Sequence, residues 1–260
     1  MKADGILMIA KLWRALVLVV VLLPCIAIAG ATATLDQQLI EAAAFGKLEL
    51  VKELLDKGAV ANAKDKDGWT ALIWAANAGC LDAVKLFLDR ETDVNAKEDK
   101  LGLTALELAA RGGHLDVVRL LLEEGANVHA HNRLGGTALM VGAKGDHLDV
   151  VRLLLENGAD VNARDRLGGT ALTLTAGRGY PRILELLVEK GADVNAKQEQ
   201  GRTALIRAAT EGHPDVVRLL LEKGSDVNAR TEDGETALKI AQKKGHKEVV
   251  ELLKAHGAKE

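Results

Sequence analysis

From Gly135 to Arg166 the apolar residues fall in two bursts separated by polar hinges. Thr137 stands where a helix begins, with a hydroxyl able to cap exposed N–H groups. Ala138, Leu139, Gly142 and Ala143 then give a short helix with a small-residue face, which Asp146 ends. His147-Leu148-Asp149 leads into a second helix, with Val150, Val151, Leu153, Leu154 and Leu155 as its apolar stripe. Gly158 stops that helix in the left-handed conformation glycine tolerates. Ala159 to Ala163 is a polar, turn-prone exit that runs on to Gly168 and Thr170.

The same pattern recurs. Thr-Ala-Leu starts at Thr70, Thr104, Thr137, Thr170, Thr203 and Thr236, in steps of 33 residues after a first step of 34. Gly125, Gly191 and Gly224 repeat the helix stop, and Val128, Val161, Val194 and Val227 repeat the exit segment. One unit has apolar residues on more than one side and cannot be stable alone. Stacking against neighbours buries those faces, so stability becomes a sum of nearest-neighbour interfaces.

These units carry Gly-x-Thr-Ala-Leu, Gly-His-x-Asp-Val-Val, Leu-Leu-Leu and Gly-Ala-Asp-Val-Asn-Ala, and the chain from 35 to 260 resembles the ankyrin repeat family. The resemblance implies an all-α solenoid of stacked helix-turn-helix units with caps at both ends. Residues 35–66 are similar to the N-terminal cap, 67–232 to five internal repeats and 233–260 to the C-terminal cap. The closing helix is rich in Lys243, Lys244, Lys247, Glu248, Glu251 and Lys254, as a water-facing end requires. The family's His after the triplet is replaced here by Ile73, Glu107, Met140, Thr173, Ile206 and Lys239, so its hydrogen bond is expected to be missing throughout. Asp146 replaces a turn glycine, Tyr180-Pro181 replaces a His-Leu pair, and the extra residue near Lys100 is expected in a turn.

Residues 1–29 stand outside the repeat. Lys2, Lys11 and Arg14 form a basic start, Ala15 to Leu23 an apolar run, and Ala27-Ile28-Ala29 a small-x-small cleavage pattern, with a cut as late as residue 33 also compatible. This is the layout of a secretory signal peptide and predicts a periplasmic or secreted bacterial protein. The alternatives are an uncleaved membrane anchor and, less well matched, a lipoprotein acylated at Cys25. Loss of residues 1–29 moves the net charge from −3 to −5 and leaves Cys80 as the lone cysteine, so no internal disulfide supports the fold. Aromatics at 2% mean a core of Leu, Val and Ala. The mild negative charge gives no footprint for nucleic acid.

In the ankyrin family, partners bind the concave face made by the turn tips and first helices. By position, the resemblance assigns partner binding to an apolar ridge of Trp69, Leu101, Leu103, Leu134 and Leu167, expected to face water. Beside it runs a basic stripe of Arg111, Arg133, Lys144, Arg166, Arg178 and Arg202. Together these suit a protein partner with an acidic, partly apolar patch. The plainer alternative is that the leucines pack against adjacent turns and the arginines are solvated. His129 and His131 form a His-x-His pair without a spaced third ligand, a weak basis for an enzyme or metal protein. His114, His147, His213 and His246 share one repeat position and are read as structural. Cys80 occupies that slot too, as a packed thiol, with an intermolecular disulfide as its functional alternative. No catalytic motif, cofactor or metal is implied. The expected function is a monomeric, non-catalytic protein-interaction scaffold outside the cytoplasm, with a membrane-tethered adaptor as the alternative.

Overall fold

The computed structural model describes residues 33–259, and the signal-peptide, anchor and lipoprotein readings of residues 1–29 lie outside them. From Thr34 onward the chain is a run of helix pairs. The first helices are Leu35–Ala44, Ala71–Asn77, Ala105–Gly112, Ala138–Lys144, Ala171–Ala176, Ala204–Glu211 and Ala237–Lys244. The second helices are Leu48–Asp56, Leu81–Leu88, Leu115–Glu123, Leu148–Glu156, Pro181–Glu189, Pro214–Glu222 and Lys247–Ala255. Among the described residues no sheet forms, and only two isolated bridges occur, Lys64 with Thr70 and Arg230 with Thr236.

Helices this short do not persist alone in water. Each first helix is started by a threonine hydroxyl that accepts from the backbone N–H three residues on, as at Thr70, Thr137 and Thr203. The unit at residues 35–56 lacks Thr-Ala-Leu, yet Thr34 and Gln37 form a reciprocal capping box that starts its first helix. Capping works differently in the second helices. The residue before each makes no side-chain cap; instead, Nε2 of His114, His147 and His246 donates to the carbonyls of Asn77, Arg111 and Thr210, in the preceding unit, at 3.0–3.2 Å. These histidines tie neighbours together, as the structural reading expects. The ring lies so close to the preceding unit's turn glycine (Gly79 under His114, Gly212 under His246) that a Cβ there would enter it, and both glycines have positive φ. Cys80 fills the slot in its own unit, half-buried, with Sγ against Gly46.

Small residues set the geometry of the stack. Ala75, Ala76, Ala109, Ala110, Ala143, Ala176, Ala208 and Ala209 are buried between first helices. With so little side chain between them, first helices pack more closely than second helices, where Phe87, Leu121, Leu154, Leu187 and Leu220 fill the gap. A stack tighter on one side bends toward it, which puts first helices and turn tips on the inner face. The buried apolar residues form one continuous cluster from Leu39 to Leu253, with no separate centre.

Two hydrogen-bond ladders run between units. In the exit segments, Asn62, Asn95, Asn162, Asn195 and Asn228 each accept from an amide of the next unit at 2.8–3.0 Å and donate to a carbonyl there. His129 stands in that column. Among the described residues the pair of bonds is absent there, and a cavity of about 80 Å³ opens between Val128, His129, Asp160 and Ala163. At the turn tips, Arg133, Arg166, Glu199 and Glu232 donate their N–H to the carbonyls of Leu101, Leu134, Leu167 and Gln200, at 2.6–2.9 Å.

Two helix ends break the glycine rule. Asp146 takes φ +63° at the turn between helices, and Glu91 takes φ +54° where other units place Gly125 or Gly158. Both are in the left-handed region, at a cost of about 1 kcal/mol. The extra residue falls in a turn tip as expected. There the amide of Glu98 donates to the Leu103 carbonyl five residues on, whereas the other tips close over four, as between Asp165 and Gly169.

Candidate functional site

The inner face is assembled from the turn tips and the exposed side of the first helices. Of the expected apolar ridge, Leu167 is exposed at 42%, while Trp69, Leu101 and Leu134 are half-buried. Leu103 is a correction: it is buried, with 6% of its surface accessible, and does not face water. Its physical cause is the longer tip. The buried Glu98 carboxylate accepts from the amides of Lys100, Leu101 and Leu103, and this draws Leu103 into the core. Trp69 stacks on Trp74, with ring centroids 4.5 Å apart and planes 25° apart, so the first-helix tryptophan is part of the same surface.

The basic stripe divides in two. Arg133, Arg166, Arg178 and Arg202 are exposed, whereas Arg111 and Lys144 are half-buried. Arg111 donates from Nη2 to Asn77 Oδ1 at 3.0 Å. Burial pulls its guanidinium below the ordinary value, and Glu107 opposes the shift. Burial also pulls the Lys144 ammonium down to about 8, with Arg178 and Arg207 repelling it and Asp165 countering.

Sequence reasoning missed two groups here. Glu107 is buried at 4% and accepts from Asn132 Nδ2 of the following tip. Burial pushes its carboxyl up to about 7, against the opposing pull of Asn132 and Arg111. Asn132 in turn accepts from the amides of Leu134 and Gly136, so the tip and the helix are locked together. This overturns the expectation that the hydrogen bond at the family's His position is missing throughout: Glu107 receives it from Asn132, and Thr173 receives it from Gln198 Nε2 at 2.8 Å. The second missed group is Arg207, half-buried, whose guanidinium burial holds below its usual range while Glu211 counters and Arg202 and Arg178 add repulsion. A column comparison would have exposed it, because the other Thr-Ala-Leu units place Trp74, Leu108, Val141, Leu174 and Ile240 at that position.

His129 and His131 are exposed, with His131 Nδ1 3.4 Å from the carbonyl of Gly135 in its own turn. Among the described residues no three His, Cys, Asp or Glu side chains are grouped to hold a metal ion. The Cys80 thiol lies 3.9 Å from the Ala78 carbonyl, and burial raises its pKa, which lowers its thiolate fraction and its reactivity.

Comparison with known proteins agrees with this geometry. The family model described as ankyrin repeats (3 copies) matches residues 39–132, 92–165, 124–198 and 174–260 in overlapping stretches. The chain is similar to serine/threonine-protein kinase 12 of Arabidopsis thaliana, 47% identical over 53 residues, which is 20% of this chain and 12% of that protein. It is also similar to ankyrin repeat, SAM and basic leucine zipper domain-containing protein 1. The identity is 38% over 55 residues for the Atelerix albiventris protein (21% of this chain, 12% of that one). For the Mus musculus protein it is 39% over 56 residues (22% and 12%). The chain thus spans 12% of the length of each of these relatives.

Proposed function

This chain belongs to the ankyrin-repeat family, a fold of protein–protein interaction, and on that premise we propose that it is a non-catalytic scaffold whose inner face binds one protein partner outside the cytoplasm. The supporting observation is the surface from Leu134 to Leu167. Leucines stand accessible there beside the exposed Arg133 and Arg166, on tips joined by backbone hydrogen bonds. A surface held this way loses little ordering entropy when a partner arrives. The apolar and cationic mixture selects a partner patch that is acidic and partly apolar. The chain acts as a monomer, and the N-terminal segment delivers it across the inner membrane, on the strength of its basic start, apolar run and Ala27-Ile28-Ala29.

The binding reading is tested with a photo-crosslinking residue at Leu167, on the inner face, and another at exposed Arg152, on a second helix. A discrete protein adduct from position 167 that position 152 does not give supports the reading. Equal adducts from both positions, or none from 167, defeat it. Amino-terminal sequencing of protein taken from cells tests export: a start near Gly30 or Thr32 fits cleavage, and an intact Met1 favours the membrane-tethered adaptor.

A further inference from the structure

Among the six repeats that carry Thr-Ala-Leu, the first-helix column of Trp74, Leu108, Val141, Leu174 and Ile240 is apolar in all but one, where it holds Arg207. A guanidinium in such a slot costs stability unless something uses it. Its Nε is sealed from solvent and has no hydrogen-bond partner among the described residues. The group turns its Nε–Nη2 edge toward Gly177, where a Cβ would come within 3.1 Å of Nε, 3.2 Å of Nη2 and 3.5 Å of Cζ. Gly177 is itself an exception: in the other Thr-Ala-Leu repeats the equivalent positions are Asn77, Arg111, Lys144, Thr210 and Lys243, all with long or polar side chains. Its missing side chain leaves the space that Arg207 enters.

The result is a cluster of like charges. Lys144, Arg178 and Arg207 repel one another, and Arg202 adds to the field at Arg207. Asp165 faces Lys144 and Glu211 faces Arg207 as countercharges. Among the described residues no ion pair forms between Arg207 and Glu211, and none includes Arg178. A cation already partly stripped of water gives up little more hydration when an anion binds it. The chain as a whole is acidic, with net charge −3, so this cluster is a local cationic patch and not part of a broad basic surface.

We propose that Lys144, Arg178 and the accessible side of Arg207 form a carboxylate-binding site beside Gly177 that receives a glutamate or aspartate side chain from an acidic segment of the partner. This rests on the inner-face reading above and names the chemistry of its centre.

The test is fluorescence anisotropy of the purified full chain with a labelled glutamate-rich peptide and its glutamine counterpart. The glutamate peptide alone should bind, more weakly as salt rises. Arg207→Leu restores the residue type of its column, so it should fold with an equal or higher Tm while weakening the peptide ~10-fold, as expected for loss of one charged hydrogen-bonding partner. Arg178→Gln, at an exposed position, should weaken it several-fold, and Arg152→Leu on a second helix should leave it unchanged. Absence of binding, equal binding of the two peptides, or wild-type affinity in Arg207→Leu overturns the carboxylate site. If Leu167 crosslinks still capture a partner in that case, the scaffold reading survives and only the carboxylate site fails.

Discussion

The inner face of the front units and that of the rear units use the same frame to opposite ends. In front, Arg111 is held by Asn77, and Glu107 by Asn132, so both of these groups have a partner one unit away. Behind, Arg207 enters an apolar column with its Nε unmatched, beside Lys144 and Arg178. Matched groups fix how units stack. Unmatched ones lower stability and raise the affinity for an incoming anion. The two regions meet at the junction where His129 interrupts the asparagine ladder and Asp146 strains a turn.

The contrast is broken most severely by removing a partner in front. Asn132→Ala strands the Glu107 carboxyl and two tip amides, and should cost about 3 kcal/mol of unfolding free energy in urea titrations at neutral pH. Glu107→Gln sharpens it from the other side. The folded carboxyl sits at about 7 against an ordinary 4.5, so the folded chain holds this proton more tightly than the unfolded one does. The stability that the proton contributes is complete below about pH 4.5 and is lost as pH rises through 7. The glutamine variant still accepts from Asn132 and carries no such loss. It should therefore be ~2–3 kcal/mol more stable than wild type at pH 8 and nearly equal to it at pH 4. Urea midpoints at the two pH values decide this, and equal differences at both would contradict it.

Smaller effects belong to the junction. His129→Asn should restore a donor and an acceptor toward the exit segment after Gly158 and add ~1 kcal/mol. Hydrogen exchange should then slow at the amide of Asp160, and unchanged exchange would deny that the ladder is broken there. Asp146→Gly relieves φ +63° and should add about 0.5 kcal/mol, read as a rise in Tm. A fall in Tm would mean that the Asp146 side chain contributes more than its backbone costs.

Much of the fold is legible in the 33-residue spacing, because each threonine cap, apolar stripe and glycine stop acts within a few residues of itself. The candidate face is legible in outline, since position in the repeat places Arg133, Arg166 and Leu167 on the exposed tips. Leu103 was misread because one extra residue lets the Glu98 carboxylate gather three amides and turn the side chain inward. The Glu107–Asn132 and Thr173–Gln198 bonds join residues 25 apart, from a first helix to the following turn tip, and no local pattern announces them. Arg207 was visible in the sequence, but only to a reader who aligns the repeats column by column and asks why one column changes character.

By itself, then, the sequence determined that short capped helices recur and must stack, since their apolar faces exceed what one unit can bury. Which side bends inward, which polar groups find partners, and where cations crowd together were decided only in three dimensions. Those properties depend on the distance between side chains of adjacent units, which follows from how closely alanine-faced helices approach. A linear pattern fixes what each unit offers, and packing fixes what meets it.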